Sequence, residues 1–113
     1  MQEYRPLRIA LLGAGSVGSQ VARLLIENKA ELAARVGAEL ELAGVVVRDI
    51  EKAVKSGVPR DLLTLEAEEL IVSSDIVIEV MGGIEPAKSY ILMALKSGSD
   101  VITANKALLA THG

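Results

Sequence analysis

Residues 13–18 read Gly13-Ala14-Gly15-Ser16-Val17-Gly18, directly after the apolar run Leu7 to Leu12 and before a segment of helical periodicity. Glycines at this spacing, between a strand and a helix, suit the binding of a dinucleotide pyrophosphate. Gly13 permits a tight turn. Gly15 lets backbone N–H groups approach phosphate with no Cβ in the way, and Gly18 lets helix and strand pack closely. The helix N-terminus presents unpaired N–H groups and a partial positive charge to the phosphates. A turn without a ligand is the competing reading, because glycine-rich turns also form for structural reasons.

Other chemistry-bearing residues stand at comparable junctions. Arg48 ends the apolar run of residues 42–47. An acid at the end of a second strand would accept hydrogen bonds from the ribose of NAD, whereas an arginine suits the 2′-phosphate of NADP. Arg48 therefore favours NADP over NAD, although Asp49 follows it and a solvated strand-end arginine is the plain alternative. Lys52, Lys55 and Arg60 could add to a phosphate pocket, but loop cations are more often simply solvated. Gly82-Gly83 would let a ribose or nicotinamide lie against the backbone, or would simply turn the chain. Lys106 follows a strand end, where a cation could contact a cofactor phosphate or polarise a substrate carbonyl, or could stay on the surface. Glu85, before Pro86, complements a helix dipole. His112 is the only histidine and has no partner in view, so it takes no role. No cluster has metal-ligand spacing, and no serine–histidine–acid arrangement is evident.

These residues need a scaffold, and the apolar pattern supplies one. Residues 7–12, 40–47, 76–81 and 100–104 read as strands, with a short edge strand within residues 61–64. Residues 16–36 read as a helix, with Val17, Val21, Leu24, Leu25, Leu32 and Val36 at helical spacing. Gly37 is its stop, and there is room for a break or turn between residues 28 and 38. One helical turn is expected in residues 50–59. A short helix is expected over residues 66–71 with Thr64 as N-cap, and a longer one from Pro86 in its first turn to Lys96. Residues 107–111 begin another. Alternating strands and helices imply a doubly wound, Rossmann-like α/β fold with a mainly parallel sheet and helices on both faces. Right-handed crossovers place residues 76–81 beside the first strand, opposite residues 40–47. Ligand is then expected over the carboxyl ends of the strands, where residues 13–18, 81–83 and 104–106 converge and Arg48 flanks the adenosine side.

Composition narrows the alternatives. The 113 residues suit one domain, and 50% are hydrophobic, enough for a real core. That core must be aliphatic, because the chain has no Phe or Trp and two Tyr. A net charge of −3 argues against nucleic acid or an anionic membrane as partner. Without cysteine there is no disulfide, thiolate metal site or cysteine nucleophile. Residues 1–6 lack a signal-peptide pattern and no apolar run reaches membrane-spanning length, so a cytoplasmic location is expected.

Four stretches carry a family resemblance: residues 9–18, 45–49, 78–87 (Ile78-Glu79-Val80-Met81-Gly82-Gly83-Ile84-Glu85-Pro86-Ala87) and 101–110 (Val101-Ile102-Thr103-Ala104-Asn105-Lys106-Ala107-Leu108-Leu109-Ala110). In that order and spacing they resemble the N-terminal NAD(P)-binding domain of bacterial homoserine dehydrogenase. The Glu-Val-Met-Gly-Gly and Thr-Ala-Asn-Lys stretches are far more specific than the glycine loop. The resemblance implies an aspartate-pathway enzyme interconverting L-aspartate 4-semialdehyde and L-homoserine with NADPH or NADH. It implies that Ser16 and Val17 cover the pyrophosphate, Arg48 meets the 2′-phosphate, Gly82 lies near the nicotinamide half, and Lys106 reaches the cofactor and the reaction zone. Residues 50–63 match the family least and are assigned no ligand.

Members of that family are much longer. Their substrate-binding and dimerising region follows this segment and carries the aspartate and lysine credited with substrate binding and proton transfer. The 113 residues are therefore expected to be a truncated cofactor domain that binds dinucleotide with little or no turnover, and to self-associate through surface the missing region would cover. The parent enzyme is expected to be a homo-oligomer. A stand-alone dinucleotide-sensing regulatory module is the alternative from another class, and a non-binding remnant a third.

Overall fold

The computed structural model describes residues 6–81 and 85–103. Along the chain it runs β1 (Leu7–Leu12), α1 (Ser16–Glu27), α2 (Lys29–Val36), β2 (Leu40–Val46), α3 (Ile50–Val54), a 3-10 turn (Arg60–Leu62), β3 (Leu63–Thr64), α4 (Ala67–Val72), β4 (Ile76–Glu79), α5 (Ala87–Lys96) and β5 (Asp100–Thr103). The strands form one five-stranded sheet in the order β3-β2-β1-β4-β5, and every neighbouring pair is parallel. The order reverses at β1, flanked by β2 and β4 as the crossover rules require.

Helices cover both faces. On one, Leu11, Val45 and Val47 pack with Ala22 of α1 and Ala53 of α3, and Ile9 and Leu40 pack with Leu25 and Leu32. On the other, Ala10, Leu12, Val46 and Val77 meet Ala67, Leu70 and Ile71 of α4 and Ala94 of α5. Leu11 and Leu12 point to opposite faces and both are fully buried. Burial on both faces is why β1 is continuously apolar from Ile9 to Leu12, and each leucine contributes about 1.5–3 kcal/mol.

β2 changes its alternation midway. Ile9 faces Leu42 but Ala10 faces Gly44, so Ala43 is a bulge. Gly44 fits there because a Cβ would meet both Leu70 Cδ atoms at 3.1 Å. The extra residue shifts the parity, sending Val45 toward α1 and Val46 toward α4. This explains the alternating first half and unbroken apolar second half of the segment.

Several boundaries differ from expectation. The helix of residues 16–36 does break, at the first residue of the stretch that left room for it: two helices meet at Asn28, where the backbone leaves helical geometry at φ −109° and ψ 29°. Gly37 does end α2, in the left-handed region at φ 84°. The edge strand is only Leu63–Thr64, after the 3-10 turn. Glu66, not Thr64, is the N-cap of α4; Thr64 Oγ1 instead accepts from the Glu66 N–H, 3.0 Å. Pro86 is likewise the N-cap of α5 rather than in its first turn. β4 stops at Glu79 because the Met81 N–H turns to the Glu79 carboxylate instead of a neighbouring strand. The helix expected over residues 107–111 lies outside the described residues.

Candidate functional site

Hydrogen bonds stitch the carboxyl ends of the strands into one rim. The Val47 N–H donates to Thr64 O (2.9 Å), Gly13 N–H to Val46 O (2.9 Å), and Val80 N–H to Leu12 O (3.0 Å). They link β3 to β2, β2 to β1, and β1 to β4.

The glycine loop crosses this rim between β1 and α1, and each glycine has its own reason. Gly13 has φ +111°, and a Cβ there would lie 3.3 Å from the Met81 backbone. A Cβ on Gly18 would sit 2.2 Å from Gly13 O and 3.3 Å from Val80 Cγ2, a position no side chain can occupy. Gly15 is the opposite case, since its Cβ would meet nothing within 4 Å. It faces open space where the chain begins α1, so hydrogen there leaves room for a ligand against the backbone.

The α1 N-terminus is also electrostatically ready for an anion. Gly15 is its N-cap, with no side-chain cap and no acid in the first turn. The leading N–H groups at Ser16, Val17 and Gly18 therefore lack the partners that helix ends usually acquire. Ser16 and Val17 are exposed, Val17 at 53%.

Arg48 stands just past β2, exposed, and makes no side-chain hydrogen bond or ion pair with any described residue. Asp49, the acid that clouds the choice of cofactor, is already employed: it is the N-cap of α3 and accepts from the Lys52 N–H at 3.2 Å. Among the nearby loop cations, Arg60 pairs with Glu51 at 2.7 Å. An acid-free helix end, an open glycine and an unpaired cation on adjacent strand ends fit the phosphates of a dinucleotide. Gly82 and Lys106, also expected at the site, lie outside the described residues.

On the β4 side the structure brings the glycine loop against Val80 and Met81, as the convergence of junctions required. It also reveals a residue to which sequence reasoning assigned no role. Glu79 is fully buried, accepting from the Met81 N–H at 2.6 Å and the Thr103 hydroxyl at 2.5 Å. Its signal was present: one carboxylate inside the apolar run of residues 76–81. Farther out, Glu85 accepts from the Ser89 N–H (2.9 Å) and hydroxyl (2.8 Å) in the first turn of α5. The Ser89 hydroxyl chiefly, then its N–H and Lys88, hold the carboxyl below its ordinary value against a smaller opposing effect of desolvation. Among the described residues no acid or histidine group is arranged to hold a metal, and no helix is long and apolar enough to cross a membrane.

Comparison with known proteins agrees with this geometry. Residues 13–113 match the family described as homoserine dehydrogenase, NAD binding domain. The chain is 54% identical over 112 residues to homoserine dehydrogenase of Mycobacterium tuberculosis, covering 96% of this chain and 25% of that protein. It is 39% identical over 111 residues to the Bacillus subtilis homoserine dehydrogenase, covering 96% and 26%. Among solved structures, a homoserine dehydrogenase from Thiobacillus denitrificans superposes with a TM-score of 0.87 at 35% identity, covering all of this chain and 26% of that one. The chain thus spans about a quarter of the length of the curated relatives it matches. With the glycine loop, the parallel sheet order and the sequence match in agreement, the chain belongs to the homoserine dehydrogenase family, as its NAD-binding domain.

Proposed function

We propose that this chain holds the dinucleotide for the interconversion of L-aspartate 4-semialdehyde and L-homoserine, with NADP preferred over NAD. The observation that carries the reading is the uncapped, acid-free α1 N-terminus at Gly15, beside a strand end that presents unpaired Arg48. The N–H groups of residues 16–18 bind the pyrophosphate, and Gly13 and Gly18 hold the loop in the shape that exposes them. Arg48 takes the adenosine 2′-phosphate, an anion whose oxygens its planar guanidinium can meet with two N–H donors. Asp49, committed to α3, does not compete for the ribose. The other half of the dinucleotide lies across β1 toward β4, where family resemblance assigns Gly82 to the nicotinamide side and Lys106 to the reaction zone.

When bound, NADPH supplies the hydride that reduces the semialdehyde carbonyl. Hydride transfer requires both reactants in a near-attack arrangement. The groups that hold the semialdehyde belong to the remainder of the enzyme, so the chain alone binds cofactor with little or no turnover.

The test is calorimetric titration with NADPH and NADH. The chain binds NADPH more tightly, and Arg48→Ala weakens NADPH about tenfold, on the order of one lost charge-assisted contact, while NADH changes by less than about twofold. Equal loss for both cofactors would remove the 2′-phosphate assignment.

A further inference from the structure

Glu79 is the one ionisable side chain that is fully buried among the described residues. The residues before it, Ile76, Val77 and Ile78, are aliphatic, and an aliphatic residue would serve packing equally well. A carboxylate is a costly choice in a core, and no described lysine or arginine pairs with Glu79. What it has instead is two donors, one for each oxygen. Oε2 takes the Met81 N–H at 2.6 Å, and Oε1 takes the Thr103 hydroxyl at 2.5 Å.

Their placement gives them a role. Glu79 is the last residue of β4 and pairs in register with Leu12 of β1 and Thr103 of β5. Its first bond turns the backbone at Met81 out of the sheet, and that same backbone walls the Gly13 turn, 3.3 Å from where a Gly13 Cβ would be. Its second bond fixes the end of β5. One carboxylate thus completes the rim from β4 to β5, where backbone hydrogen bonds already join β3 to β2, β2 to β1, and β1 to β4. A dinucleotide lying across the switch point, with its adenosine end at β2, extends its nicotinamide end over these two strands.

We propose that Glu79 is a positioning residue for the nicotinamide half of the cofactor: its buried carboxylate locks the exits of β4 and β5 together, so that the surface under that half is preformed. The inference rests on the cofactor-binding reading above. It concerns only one half of the ligand, which makes it separable. Glu79→Met keeps the length of the side chain and removes both acceptors. Glu79→Gln keeps an oxygen for the Met81 N–H and turns its amide toward the Thr103 hydroxyl, which can accept.

The experiment measures the affinity of the chain for NADPH and for adenosine 2′-phosphate 5′-diphosphate, which lacks the whole nicotinamide riboside half. Glu79→Met is expected to weaken NADPH about tenfold and the analogue less than about twofold, with Glu79→Gln restoring NADPH binding to within about threefold of the native chain. Parallel losses for both ligands, or no loss for either, would overturn the proposal by reducing Glu79 to a structural residue or none. If Glu79→Met does not fold, Thr103→Val decides. It cuts the β5 end of the link and must also weaken NADPH more than the analogue; equal effects overturn the proposal. A native chain that binds neither ligand overturns the cofactor reading and this inference together. One that binds both, with parallel losses in the variants, overturns this inference alone.

Discussion

Gly15 and Gly18 occupy the same loop for opposite reasons, and substitution separates them. A Cβ at Gly18 would collide with Gly13 O at 2.2 Å, whereas one at Gly15 meets nothing. Gly18→Ala should destabilise the fold by about 1–3 kcal/mol in urea denaturation, the usual cost of forced overpacking. Gly15→Ala should cost less than about 1 kcal/mol, since its backbone is compatible with alanine. It should nevertheless weaken NADPH binding at least as much, because the added methyl stands where a phosphate would approach. At this scale the sequence was informative wherever a residue type had one use. Gly13 and Gly18 were legible because few other residues can turn or pack so closely in those places. Asp49 was ambiguous, since an acid after a strand suits a ribose or a helix cap equally. The role of Glu79 was hidden because it depends on Thr103, 24 residues away.

Among the elements, α5 carries the clearest pH dependence. Glu85 accepts from the Ser89 hydroxyl and N–H, and these bonds lower its folded-state pKa below the ordinary 4.5. A depressed carboxyl contributes stability fully above its unfolded value, and that contribution is lost as pH falls through the folded one. Denaturation series from pH 7 to pH 3 should therefore show the native chain exceeding Glu85→Gln in stability at neutral pH, with the difference shrinking below about pH 4.5. A difference constant across that range would deny the charge its part. Element existence was legible from periodicity, whereas element ends were not. The Asn28 break falls at the start of the stretch where the pattern left room for one, but periodicity alone did not single out the residue. The Ala43 bulge was visible solely as a change of alternation. β4 ends early because the Glu79 side chain captures a backbone donor, a competition that apolar patterning does not encode.

For the whole molecule, the order β3-β2-β1-β4-β5 followed from right-handed crossovers and short connections, which leave few alternatives for alternating elements. Its surface is less balanced than its core. β5 is a sheet edge among the described residues, Ile102 on it is 57% exposed, and Leu92 and Leu95 of α5 are 49% and 56% exposed. An apolar edge strand is a template for association. The chain should show a sedimentation coefficient that rises with concentration, and Ile102→Lys should shift it toward monomer. A single concentration-independent species would remove that expectation. The central claim, that the α1 N-terminus of this sheet receives the phosphates of a dinucleotide, is tested most directly by following backbone amide resonances of the labelled chain during titration with NADPH. Saturable shifts that are largest at residues 15–18 are the predicted result. A folded chain whose residues 15–18 stay unmoved at millimolar NADPH would contradict it.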